Sequence, residues 1–221
     1  MRFLIFIWHR ITAAVSTLLF LALLIALFGL YKFANSEQSD NELKLQGKHE
    51  YLTEISQKID SGHLRPNIVF ILYDDLGYGD IGEGAKDNTL IATPNINQLA
   101  AGGVVLTDFH SPSPVCTPSR AGYLTGRLAP RAGLPNVVFP TGSTRGLLFR
   151  LLTRPGSHTR LPAEEITLAD LLKAAGYATG MVGKWHMGDR SPSLPNDMGF
   201  DSYFGALYSN DMEPFALYAN R

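Results

Sequence analysis

The stretch Pro66-Asn67-Ile68-Val69-Phe70-Ile71-Leu72-Tyr73-Asp74-Asp75-Leu76-Gly77 decides how the chain is read. It begins with an apolar run rich in β-branched residues, and Asp74-Asp75-Leu76-Gly77 stops that run. Such a pattern predicts a strand at 67–73, buried on both faces of a parallel sheet. Ligands of such sheets gather at the carboxyl ends of the strands. Asp74 and Asp75 lie just past that end. Adjacent carboxylates repel, and sharing a cation relieves the repulsion; hard oxygen donors suit Ca²⁺ or Mg²⁺. By itself the tetrapeptide reads more readily as a turn with two exposed aspartates.

Downstream, Thr93-Pro94 opens a short helix through Ile96, Leu99 and Ala100, ended by Gly102-Gly103. Val104-Val105-Leu106 resumes an apolar strand. Thr167-Leu168-Ala169-Asp170 resembles a capping box for a helix at 168–175, with Gly176 after it. A strand at 177–182 follows. Strands alternating with helices predict an α/β domain with a largely parallel sheet flanked by helices.

Two polar segments supply candidate chemistry. Cys116-Thr117-Pro118-Ser119-Arg120-Ala121-Gly122-Tyr123-Leu124-Thr125-Gly126-Arg127 holds the chain's one cysteine. Pro118 is expected to keep Thr117 extended, and Ser119 to cap a helix closed near Gly126. Cys116 then sits just before a helix N-terminus, where free amides and the macrodipole favour an anion. Arg120 points back to the same spot with a planar fork suited to a tetrahedral oxyanion. An isolated cysteine is also at home packed under a turn. In Gly183-Lys184-Trp185-His186-Met187-Gly188, alternation puts Lys184 and His186 on one side and Trp185 opposite. Together an ammonium and an imidazole bind an oxyanion and move a proton. His110 is assigned a structural role. Residues 132–162 form a Gly/Pro-rich insertion, with His158 and Arg160, of the kind that walls a substrate site.

The Cys116 segment resembles the signature C-x-P-S-R-x-x-x-L-T-G-R of the type I sulfatases at every fixed position. The stretch from Pro66 to Asp80 is similar to their first strand and metal loop, and residues 183–188 to their Gly-Lys-Trp-His-x-Gly element. The three motifs stand in family order, over residues 65–221. The resemblance implies an alkaline-phosphatase-like α/β fold and hydrolysis of a sulfate monoester, closest to the arylsulfatase branch. It implies that a formylglycine-generating enzyme oxidises Cys116 to Cα-formylglycine, whose hydrate is the nucleophile. Asp74, Asp75 and the modified Cys116 would hold Ca²⁺ or Mg²⁺. Arg120 and Lys184 would offset charge on the hydrate and the sulfate, and His186 would take the proton that lets sulfate leave. The family also carries an Asp-Asn (or Asp-Gln) metal pair, a second histidine and a second lysine further on. No such pair lies between His186 and Arg221. The expectation is therefore the N-terminal part of a catalytic domain that, alone, binds metal weakly and lacks turnover. Two other readings stay open: a phosphonate or phosphodiester hydrolase using the same group, and a non-catalytic, membrane-tethered binder of sulfated ligands in which Cys116 remains a thiol.

The beginning of the chain differs in kind. Arg2, His9 and Arg10 precede an uncharged stretch at 11–30, long enough to span a bilayer as a helix of about 20 residues. Residues 1–10 then form a short basic cytoplasmic segment, 11–30 a signal anchor and 31–64 a polar stalk. A membrane-anchored protein exported to the periplasm, another extracytoplasmic space or a lumen is expected, with a secreted, signal-cleaved form as the alternative. A formal net charge of −1 gives no basic field for nucleic acid.

Overall fold

The computed structural model describes residues 1–34, 38–59, 65–81, 92–152 and 159–220. Six helices and three strands are described, in the order α1 (Arg2–Ala34), α2 (Glu42–Lys58), α3 (Pro94–Ala101), α4 (Cys116–Thr125), α5 (Thr144–Leu152), α6 (Leu168–Ala174), β1 (Gly180–Val182), β2 (Ser202–Ala206) and β3 (Leu217–Ala219). The sheet runs β1-β2-β3. β1 pairs with β2 in parallel, Met181 opposite Tyr203, and β2 pairs with β3 antiparallel, Gly205 opposite Tyr218. The sheet is thus mixed.

Local chemistry explains the elements that match expectation. Pro94 starts α3 and Gly102 closes it. At α6 the capping box forms as read: the Thr167 hydroxyl accepts from the Asp170 amide, and the Asp170 carboxylate accepts from the Thr167 amide, both at 3.0 Å. Gly176 follows with φ 81°, a left-handed position suited to glycine.

Three expectations are corrected. Residues 67–73 are not a buried strand: they join no described ladder, and Val69 is 81% exposed. An apolar run becomes a buried strand only when neighbours pair with its edges and cover its faces, and no described strand does so. Val104, Val105 and Leu106 are likewise exposed coil, for the same reason. The last predicted strand shrinks to β1, since residues 177–179 join no ladder.

The core lies beneath the signature helix. Ala121, Ala132, Leu134, Val138, Leu161, Trp185, Met187 and Met198 are its fully buried members. Indole Nε1 of Trp185 donates to the Ser193 carbonyl at 2.9 Å. This cluster joins α4, the loop after it and the turn after β1, which are the segments that carry the candidate site.

The segment expected as a stalk docks on this body. α2 packs against α6. Lys48 is buried, 2.8 Å from the Asp170 carboxylate, and donates to the Ala163 and Glu165 carbonyls. Asp40 accepts from both ends of the Arg160 guanidinium and from the Ala163 amide. Asp40 and Lys48, in the segment read as a polar stalk, are thus satisfied by the body, while most of its other polar residues are exposed. Of the predicted stalk, residues 35–37 and 60–64 lie outside the described residues. α1 contains an apolar window at Trp8–Phe33, long enough to cross a membrane, exposed throughout.

Candidate active site

Helix α4 begins four residues before its expected start, at Cys116 in place of Arg120. Val115 is the N-cap, with extended backbone (φ −131°, ψ 156°), so Cys116 sits inside the first turn. Pro118 is tolerated there because first-turn amides have no helical acceptor. Thr117 is therefore helical, not extended. Nor does Ser119 cap the helix; its hydroxyl pairs with that of Ser111 at 2.6 Å. The far end is as read: Gly126 is left-handed (φ 64°), and its amide bonds the Gly122 carbonyl.

Arg120 lies one turn further along α4 and is buried. Its Nη2 donates to Asp74 Oδ1 at 3.0 Å and its Nη1 to the Lys184 carbonyl. Its Nε is buried without a hydrogen-bond partner in the structure.

Lys184 arrives from the sheet. Beyond β1, the chain stays alongside β2 and the residues after it: the amides of Gly183, Trp185 and His186 donate to the carbonyls of Phe204, Ala206 and Leu207, each at 2.9 Å. Gly205 makes this approach possible, since a Cβ there would fall 2.0 Å from the Gly183 oxygen. Lys184 Nζ then reaches Asp74 Oδ2 at 2.7 Å, Cys116 Sγ at 3.1 Å and Ser209 Oγ at 3.3 Å.

Asp74 accepts from both cations while its side chain stays 43% exposed. Burial pushes its pKa up, but hydrogen bonds from Lys184 and then Arg120 outweigh this, and the net shift is downward. Asp75 takes a left-handed backbone (φ 58°) and is exposed.

His186 departs from simple alternation. It has φ 60°, a region costing a non-glycine residue on the order of 1 kcal/mol. Its ring is buried, with Nε2 3.1 Å from the Val138 carbonyl, Nδ1 unpartnered, and Tyr208 edge-on at 5.5 Å. Burial, then the Lys184 charge, lowers its pKa to about 4. The imidazole is neutral at pH 7.

The structure thus brings Asp74, Cys116, Arg120 and Lys184 together, with His186 buried beneath. His110 is exposed beside Asp108. Arg160 belongs to the α2 side of the molecule, paired with Asp40. His158 lies outside the described residues. Ser209 joins the site unforeseen, because nothing in Tyr208-Ser209-Asn210-Asp211 signals it. Among the described residues no group of three His, Cys, Asp or Glu side chains that could hold a metal forms. Asp74 and Asp75 are hard donors of the right chemistry, but two carboxylates fall short of the 6–8 oxygens Ca²⁺ takes.

Two cations converge on a carboxylate, one of them also touching a cysteine, beside a mixed sheet: the class is an α/β protein with a cationic cluster at the sheet's edge. The chain belongs to the sulfatase family, whose family model matches residues 66–217. It is 48% identical to human arylsulfatase A over 153 residues, 67% of this chain and 27% of the relative. Human steryl-sulfatase is 41% identical over 152 residues, 66% and 24% of the two chains. The chain therefore spans about a quarter of the length of the curated relatives it matches. Among solved structures, Ps i-CgsB is similar with TM-score 0.56 and 36% identity, over 66% of this chain and 29% of that one. The PsFucS1 sulfatase from Pseudoalteromonas sp. is similar with TM-score 0.50 and 33% identity, over 74% and 29%.

Proposed function

We propose that the site serves hydrolysis of a sulfate monoester of the arylsulfatase type, with Cys116 matured to Cα-formylglycine. One observation carries the reading: Lys184 Nζ touches both Cys116 Sγ and Asp74 Oδ2, so a cation already spans the reacting position and the proposed metal carboxylate. The hydrated aldehyde would carry two hydroxyls: loss of a proton from one later re-forms the aldehyde and expels sulfate, and the other is the nucleophile toward sulfur. Asp74, Asp75 and the modified Cys116 would contribute ligands to Ca²⁺ or Mg²⁺, which supplies positive charge for that hydroxyl and the sulfate oxygens.

The chain's own residues take the remaining roles. Lys184 and Arg120 face the developing negative charge. The unpartnered Nε–H of Arg120 is a donor suited to an oxyanion. Neutral His186, with a free ring nitrogen, is suited to accept a proton. A formylglycine-generating enzyme is the maturation partner and a sulfate ester the substrate. The apolar helix α1 supports export with a membrane anchor, the catalytic part lying in the periplasm, another extracytoplasmic space or a lumen.

Sulfate and phosphate esters present oxyanions of similar size, so the discriminating experiment is a panel. The matured chain is offered 4-nitrophenyl sulfate and bis(4-nitrophenyl) phosphate, and binding and turnover are measured for each. Tighter binding of the sulfate is expected. Turnover by these 221 residues alone should be weak, because two carboxylates leave the cation short of ligands. Preference for the phosphodiester would assign the site to the other hydrolase class, and robust arylsulfatase turnover would overturn the expected weakness.

A further inference from the structure

Three segments distant in sequence meet at His186. Thr117 follows Cys116 in the first turn of α4 and is fully buried. Its hydroxyl donates to the His186 carbonyl at 2.9 Å and accepts from the Val138 amide at 3.2 Å. Val138 in turn offers its carbonyl to the His186 ring, 3.1 Å from Nε2. A carbonyl only accepts, so this contact requires the proton on Nε2 and leaves the lone pair on Nδ1. That Nδ1 is buried with no hydrogen-bond partner.

We propose that Thr117 is a positioning residue, whose hydroxyl ties the His186 main chain to Val138 and so locks His186 as the Nε2–H tautomer with Nδ1 free. The proposal rests on the sulfatase reading only for what the free nitrogen serves; the lock itself is a property of this packing. A hydroxyl is needed because the position must donate and accept at once. Serine does both, and valine, nearly the same shape, does neither. The second residue of the signature is then more than a spacer: it links the helix that carries Cys116 to the histidine that acts beside it.

The test is NMR of the whole 221-residue chain in detergent micelles, labelled with ¹⁵N-histidine. His186 is assigned with His186→Gln, and long-range ¹H–¹⁵N spectra distinguish a protonated ring nitrogen from a bare one. The wild type should show a single tautomer with the proton on Nε2. Thr117→Ser should keep it, and Thr117→Val should lose it, giving tautomers in exchange. A wild-type proton on Nδ1, or a Thr117→Val spectrum still purely Nε2–H, overturns the proposal. Should the valine variant fail to fold, the wild-type and serine spectra decide, and tautomer mixing in either overturns it. No outcome depends on maturation of Cys116, so failure of the lock and failure of the sulfatase reading are separable.

Discussion

Lys184 Nζ lies 3.1 Å from Cys116 Sγ, although the two residues are 68 positions apart. The contact depends on a helix start, a strand end and the close approach at Gly205. Under the proposed function, the Lys184 cation faces the sulfate ester. Lys184→Met should weaken sulfate binding by about tenfold or more, since a charge-assisted hydrogen bond contributes about 1.5–3 kcal/mol. Calorimetric titration with sodium sulfate measures this, and an unchanged affinity would show that Lys184 does not face the anion.

Asp74 pairs with both cations, Arg120 on one carboxylate oxygen and Lys184 on the other. Asp74→Asn removes a charge from both ion pairs, and half-exposure of the carboxylate limits the cost to about 1–2 kcal/mol of stability. Because its folded pKa is lowered, its contribution is present above the unfolded value of about 3.9 and fades as pH falls through the folded value. The same variant should weaken Ca²⁺ binding markedly. Equal Ca²⁺ affinity in the two proteins would remove Asp74 from the metal assignment.

His186 ties stability to pH in the opposite charge sense. Unfolded, it protonates near 6.5; folded, near 4. Between these values the unfolded state binds the extra proton. Stability should therefore fall as pH drops from about 6.5 to 4, by on the order of 3 kcal/mol, and this component should level off below. Urea unfolding at stepped pH, compared with His186→Gln, isolates it. An identical slope in the variant would contradict the assignment.

Lys48 tests the docking of α2. Lys48→Ala leaves the buried Asp170 carboxylate held only by the capping box, at a cost of about 2–4 kcal/mol. The melting temperature should drop by roughly 10 °C. Lys58→Ala, removing an exposed pair with Glu54, should change stability by less than about 1 kcal/mol. If the two variants melt alike, residues 38–58 are a linker after all.

Much of this was legible in the sequence where the cause is local. The Thr167–Asp170 capping box, the Gly126 stop and the Pro94 start each depend on neighbours within a few positions, and each forms. That Lys184 and Arg120 come together near Cys116 was also readable, since their motifs fix both residue type and spacing. What failed depends on distant partners. The run at 67–73 has strand composition, but an apolar run cannot reveal whether strands flank it. The docking of the 38–58 segment was hidden because the partners of Asp40 and Lys48 are far away in sequence; Asp170 lies 122 positions after Lys48 by their numbering. Ser209 and the Val138 carbonyl reach the site only through tertiary folding. No residue type marks a backbone oxygen as a site group.

Whether Cys116 is the precursor of an aldehyde is decided by the mass of its peptide. The chain is produced together with a formylglycine-generating enzyme, digested, and the peptide containing Cys116 is weighed. Conversion lowers the mass by about 18 Da, as thiol sulfur is replaced by aldehyde oxygen. That loss is expected, together with trapping of the peptide by a hydrazide. A peptide of unmodified mass that still alkylates as a thiol would contradict it.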